Sequence, residues 1–323
     1  MQQSPPSTGH YIGRFAPSPS GPLHFGSLVG ALASYLHAHQ AGGEWLVRME
    51  DIDPPREQPG TADSILRSLE AHGLLWHGAV LYQSQRLEAY REHLQTLQQQ
   101  GFIYPCTCTR QQIQAGGGIY NNHCRPNNLG GNLDDNLNNK LEYPYPANTL
   151  NAYALRLTVG RASHSADIEF DDLIQGSQQQ NITREIGDFI LLRKDGLPAY
   201  QLAVVVDDIF QNISHVIRGS DLLDSSARQL YLFQLFNAPR PTFGHFPVAI
   251  GADGDKLSKQ THAPALIDDN ASDNLWHALK FLNLHPPTSL QGEIPRKQLN
   301  WAIQYAIFKA IPAQRGISLT AMP

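Results

Sequence analysis

The stretch from Tyr11 to Met49 constrains the fold more than any other part of the chain. Residues 11–17, YIGRFAP, read as a short strand ending at Pro17. A turn-rich run follows, Ser18-Pro19-Ser20-Gly21-Pro22. From Gly26 the pattern turns helical, with Leu28, Ala31, Leu32 and Tyr35 at spacings of three and four. Gly42-Gly43 supplies a stop signal, and residues 45–49, WLVRM, form a second strand. Strand, turn, helix, strand is a βαβ unit, which implies a parallel sheet and an α/β fold.

The rest of the chain is read against that unit. Helices are expected over 61–72 and 85–99. Residues 188–193 and 199–206 flank the turn Lys194-Asp195-Gly196 and read as two strands of a hairpin. A strand over 213–218 and a helix over 221–236 follow, and 244–262 reads as a loop. Near the C-terminus, Leu299, Ala302, Ile303, Ala306, Ile307 and Ala310 share one helical face, with Pro312 ending the run. Residues 1–10 read as a disordered lead. Residues 127–140, rich in Asn, read as a polar low-complexity loop. Asp207-Asp208 reads as a cap with no chemistry.

Composition excludes several classes. Of 323 residues, 41% are hydrophobic and 16% charged, enough apolar material for a sizeable core. That rules out a disordered chain, collagen or a disulfide-stapled miniprotein. No apolar run approaches the ~18 residues of a membrane span. The N-terminus lacks a charged leader and an apolar core, so a cytoplasmic location is expected. A net charge of −5 gives no bulk sign of nucleic-acid binding, although it leaves room for a local basic groove.

Four clusters carry chemistry. The turn APSPSGPLHFGS, residues 16–27, joins a strand to a helix N-terminus, where backbone N–H groups and the positive dipole end suit a phosphate. An ordinary proline-stiffened turn has the same composition. Lys256-Leu257-Ser258-Lys259-Gln260 could clamp a polyphosphate or be a solvated loop. Arg48-Met49-Glu50-Asp51-Ile52-Asp53 lies at the carboxyl end of a strand, where α/β sheets bind ligands. A carboxylate there could hold an amine, or pair locally with Arg56. The three cysteines, Cys106, Cys108 and Cys124, are too few and too clustered for a disulfide framework. Three thiolates suit Zn²⁺, which needs a fourth ligand. His123 is chemically the commoner choice. Three reduced thiols without metal is the alternative.

Together these motifs resemble those of class I aminoacyl-tRNA synthetases. His24-Phe25-Gly26-Ser27 stands where that class has His-Ile-Gly-His, and KLSKQ stands where it has Lys-Met-Ser-Lys-Ser. RFAPSPSG followed by RMEDID resembles the glutamyl branch. The likeness runs from about residue 11 to 266. The stretch after Leu266 is short for an anticodon-binding region, so the chain most resembles the truncated paralogues of glutamyl-tRNA synthetase. Those enzymes activate glutamate with ATP, without tRNA, and transfer it to queuosine at the wobble position of tRNA(Asp).

The resemblance implies specific roles. Arg14, Phe15, Ala16, Pro17 and Ser18 would line the glutamate site, with Glu50 on the ammonium group and Tyr200 and Arg218 as further contacts. His24, Gly26, Ser27, Lys256 and Lys259 would act on ATP with Mg²⁺. Ser27 departs from the second histidine of the class pattern. Cys106, Cys108, Tyr120 and Cys124 would hold a structural zinc ion, with His123 the other candidate. The partners implied are ATP, L-glutamate and tRNA(Asp) carrying queuosine, with a monomer doing the work. The fold implied is a Rossmann-like parallel sheet, its halves at 11–100 and 188–266. A zinc-bearing insertion over 101–187 and a small helical part over 267–323 complete it. Three other readings compete: a truncated enzyme charging a tRNA 3′ end, a binding paralogue without catalysis, and a nucleotidyltransferase sharing the nucleotide signatures.

Overall fold

The computed structural model describes residues 10–125, 153–161, 164–251 and 264–318. The expected lead over 1–9, the Asn-rich stretch 127–140, and Lys256 and Lys259 lie outside the described residues.

The chain opens with β1 (Ile12–Phe15), α1 (Phe25–Gln40), β2 (Glu44–Met49), α2 (Thr61–Ala71), β3 (Leu81–Tyr82) and α3 (Leu87–Gln99). Next come β4 (Ile103–Cys106), α4 (Arg110–Ala115), β5 (Ala154–Leu157), the hairpin β6 (Asp167–Asp172) and β7 (Gly176–Asn181), and one turn of helix, α5 (Ile182–Glu185). The second half holds β8 (Phe189–Leu192), α6 (Tyr200–Phe210), β9 (His215–Gly219), α7 (Ser226–Leu235), β10 (Thr242–Phe246) and β11 (Val248–Ile250). It closes with α8 (Ala271–Phe281), α9 (Pro295–Tyr305) and β12 (Gly316–Ser318).

Five strands form a parallel sheet in the order β10-β9-β1-β2-β3. The βαβ unit sits at its centre, with Ile12–Phe15 paired to Glu44–Val47. Helix α1 ends where the glycines predict, at Gly42 in the left-handed region (φ 65°), which glycine adopts without steric cost. Alternation along the strands divides their side chains between two cores. Trp45, Val47 and Met49 join α1, α8 and α9 in one. Ile12 and Leu46 pack with α3, α6 and α7 in the other. Arg14 and Arg48 share that second face with Ile12 and Leu46, and meet α6 there. Strands β4, β5 and β8 form a separate antiparallel sheet.

Three local expectations are corrected. The turn at Lys194–Gly196 exists, but its second arm is the helix α6, not a strand. Leu202 through Asp208 are all buried, and Leu202–Val206 is a continuous apolar run with no polar residue to mark a helical turn. An apolar run of that length reads equally as a strand. The stretch 244–262, expected to be a loop, opens with the end of β10 and with β11. The C-terminal helix stops at Tyr305, and Phe308–Ala310 is a separate 3₁₀ turn. Among the described residues, no helix is long and apolar enough to cross a membrane.

Candidate active site at the carboxyl edge of the parallel sheet

Strand order reverses between β1 and β9, and a cavity of about 660 Å³ opens there, at the strands' carboxyl ends. This is the switch point at which open α/β sheets bind ligands. All the predicted glutamate-site residues line it, and so do His24, Gly26 and Ser27. The predicted lining comes from three strand ends and two helix starts. Phe246 and Val248, on the far wall, were not predicted.

Helix α1 points its N-terminus into this cavity. Leu28 makes the first intrahelical bond, to His24, so the amides of Phe25, Gly26 and Ser27 are unclaimed by the helix. The first turn carries no acidic residue. A sixteen-residue helix ending this way favours an anion. Ser27, in place of the second histidine, brings its hydroxyl within 2.9 Å of Nε2 of His24.

Beneath the cavity lies a buried charge cluster. Arg14 faces Asp208 through Nε at 3.2 Å and Nη2 at 3.4 Å. Arg48, fully buried, reaches the same carboxylate at 2.8 Å and lies 3.7 Å from Glu50. Burial opposes the charge on Asp208, but Arg14 and Arg48 outweigh it and hold the carboxyl below its usual range. Burial pushes the Glu50 carboxyl up to about 6, against the pull of Arg48 and Arg14. Asp207 accepts from Gln83, Arg86 and Tyr90 on the other side of α6. The reading of Asp207-Asp208 as a cap without chemistry is therefore corrected. Two acids inside an apolar run must have cationic or hydrogen-bonding partners, and that was the available signal. The expected local pairing of this region with Arg56 is present as an Asp53–Arg56 contact.

The segment that carries Lys256 and Lys259 is flanked by β11, which lines the cavity, and by Ala265, which meets a residue that does. Strand β11 precedes it. Ala265 follows it and bridges to His24, with Leu266 donating to the Leu23 carbonyl at 2.9 Å.

A second constellation lies at the end of β4. The Sγ atoms of Cys106, Cys108 and Cys124 lie within 4.8 Å of one another. The Tyr120 hydroxyl is 3.5 Å from Cys106 Sγ and 4.0 Å from Cys108 Sγ, and Cys108 and Cys124 are 3.6 Å apart. Donors 2.3 Å from a tetrahedral ion lie about 3.8 Å apart, so these four atoms fit a zinc-sized site. His123 is exposed and is not among the gathered donors. Burial pushes the Cys108 thiol up to about 11. For Cys124 burial is outweighed by the Thr107 amide and the Tyr120 phenol, and the thiol falls to about 6. Arg156 was not foreseen. Its Nε donates to Cys106 Sγ at 3.1 Å, and its guanidinium lies 4.0 Å from the Tyr120 ring centre.

The chain matches the family model of class I tRNA synthetases (E and Q), catalytic domain, over residues 12–281. It is 48% identical over 309 residues to the glutamyl-Q tRNA(Asp) synthetase of Serratia proteamaculans, covering 96% of this chain and 94% of that protein. It is 49% identical to the protein of the same name in Thiobacillus denitrificans, covering 96% and 98%. The glutamate-tRNA synthetase structure from Elizabethkingia anophelis superposes with a TM-score of 0.76 at 23% identity, over 97% of this chain and 68% of that one.

Proposed function

The chain belongs to the class I tRNA synthetases of the glutamate and glutamine type, among the glutamyl-Q tRNA(Asp) synthetases, and from that premise we propose how its cavity works. The enzyme activates glutamate with ATP and transfers it to queuosine of tRNA(Asp). The observation that carries this reading is one cavity holding two arginines, the carboxylates of Glu50 and Asp221, and a helix N-terminus. Two cations suit the carboxylates of glutamate, and Glu50 suits its ammonium. Tyr200 and the β1 turn complete the amino-acid side.

The glutamate carboxylate is ionised at neutral pH and needs no general base. It attacks the α-phosphorus, a new C–O–P bond forms, and pyrophosphate leaves with the electron pair. The transition state gathers charge on phosphoryl oxygens. The α1 amides, His24, Lys256 and Lys259 stabilise it, and Mg²⁺ accompanies the phosphates. The acceptor nucleoside then displaces AMP. We assign Cys106, Cys108, Tyr120 and Cys124 as the zinc ligands. The ion would supply cross-linking, not chemistry. The reaction belongs in the cytoplasm, where its substrates are, and the cavity needs only one chain.

The direct test supplies labelled glutamate and ATP with tRNA(Asp) that carries or lacks queuosine. An anticodon hairpin containing queuosine is the third acceptor. Label on the modified tRNA and on the hairpin supports the proposal. Label confined to a tRNA 3′ end would make the enzyme a charging synthetase instead.

Glu50 gives a pH signature. A carboxyl near 6 is ionised above that value and neutral below it, and only the ionised form attracts ammonium. Glutamate affinity, read by calorimetry, is expected to be flat above pH 7. Below pH 6 it should weaken by up to about tenfold per pH unit. Glu50→Gln should bind weakly with no such slope. A flat wild-type profile would refute the assignment.

A further inference from the structure

Arg218 is held by a buried chain of polar groups that reaches into a different part of the fold. On the sheet, Arg218 of β9 stands opposite His245 of β10. Its Nε donates to Nε2 of His245 at 2.9 Å. Nη1 donates to Gln229 at 2.8 Å, and Nη2 donates to Ser226 at 3.0 Å and to the Leu222 carbonyl at 3.3 Å. The other ring nitrogen of His245, Nδ1, lies 2.5 Å from Asp172 Oδ2. Asp172 Oδ1 accepts the amides of His245, Ile174 and Gln175 at 3.0, 3.0 and 2.8 Å. Arg218, His245 and Asp172 are all buried.

The chemistry of the groups fixes their protonation. Arginine Nε–H can only donate, so Nε2 of His245 must offer a lone pair. The ring proton therefore sits on Nδ1, where the Asp172 carboxylate accepts it. Burial lowers the histidine to about 4, so the ring is neutral at pH 7 and free to accept. Asp172 is in turn locked by three amides, two at the turn between β6 and β7 and one from β10. The line from that turn to the cavity has no loose joint.

We propose that Asp172 and His245 are positioning residues that set the plane of the Arg218 guanidinium in the glutamate site. The inference rests on the reading of Arg218 as a glutamate contact. Nη1 makes one bond within the protein and has a second hydrogen for a ligand. With so little of the guanidinium uncommitted, a tilt about Cζ takes that hydrogen away from its target. The geometry must hold within about 10–20° for such a bond to form. Removing the acceptor on Nε would also leave a buried donor unpaired, which the guanidinium relieves by rotating.

The test is glutamate-dependent ATP–pyrophosphate exchange with His245→Gln and His245→Asn. Glutamine carries its amide oxygen to the position of Nε2. Asparagine reaches only the position of Nδ1. His245→Gln is expected within a few-fold of wild type. His245→Asn should raise KM for glutamate by about 10- to 100-fold, leaving KM for ATP unchanged. Asp172→Asn should move KM for glutamate the same way. In an Arg218→Ala background, either change should add less than about twofold, because the group they position is gone. Equal values for the Gln and Asn variants, or additive losses in the Arg218→Ala background, would overturn the relay. If Arg218→Ala itself leaves KM for glutamate unchanged, the reading of the site fails and takes the relay with it.

Discussion

Replacing Asp208 by alanine is expected to destabilise the protein by about 3–5 kcal/mol, the cost of breaking a buried ion pair from one side. Arg14 and Arg48 both lean on this one carboxylate, at 3.2 and 2.8 Å, and both are buried. Without it, two guanidinium groups remain in a low-dielectric layer. Glu50 is then the nearest counter-charge, 3.7 Å from Arg48. The loss is several times that of a surface pair, which is worth about 0–1 kcal/mol. Urea unfolding checks it, as a lower midpoint at unchanged slope. An unchanged midpoint would mean that the arginines find other partners. Asp208→Asn keeps an acceptor but not the charge, and should fall between. Acid acts in the same direction. Folding lowers the Asp208 carboxyl, so its contribution is complete above the ordinary carboxylate range. It is lost as pH falls through the lowered value.

Cys106→Ser is expected to drop bound zinc from about one ion per chain to under about a tenth. The same change should remove hydrogen-exchange protection from residues 107–125. The physical reason is the small size of the local core. Tyr104, Cys106 and Tyr120 are the buried apolar residues there, with Cys108, Ile113 and Cys124 packed against them. Such a cluster offsets little of the entropy of ordering its own chain, so a bound metal would act as its core. The strands β4, β5 and β8 hold their own backbone pairing, so their amides should keep their protection. Chelation of the wild-type protein should reproduce the pattern. A variant that retains stoichiometric zinc would remove Cys106 from the ligand set. Arg156→Met offers a graded version. It deletes the 3.1 Å bond to Cys106 while leaving every ligand in place, and should weaken metal binding by about 10- to 100-fold.

How much of this was legible in the sequence depends on whether a residue's partner is nearby. The β1-α1-β2 unit was readable because strand, turn glycines and helix period all lie within forty residues or so and agree. The cavity was readable because its lining comes in short runs, each at a strand end. Helix α6 was not, because its run Leu202–Val206 carries no polar residue to mark a helical turn. The supports were also hidden. Asp208 meets Arg14 at a separation of 194 residues, His245 meets Asp172 at 73, and Arg156 meets Cys106 at 50. None sits in a motif. Asp208 and Arg156 are polar residues in apolar runs, YQLAVVVDDIF and ALRL. That context says a partner must exist without saying which.

The parallel pairing of β11 with β12 has a consequence for how the protein is made. Val248, on the cavity wall, takes its place in a strand whose partner is Gly316–Ser318. Its amide donates to the Arg315 carbonyl. Synthesis runs from the other end. A nascent chain that has emerged through α9 already carries Arg14, Glu50, Tyr200 and Arg218. It lacks the strand that fixes the wall opposite them. A chain interrupted before Gly316 would lack β12, and with it the pairing that holds Val248 on the cavity wall.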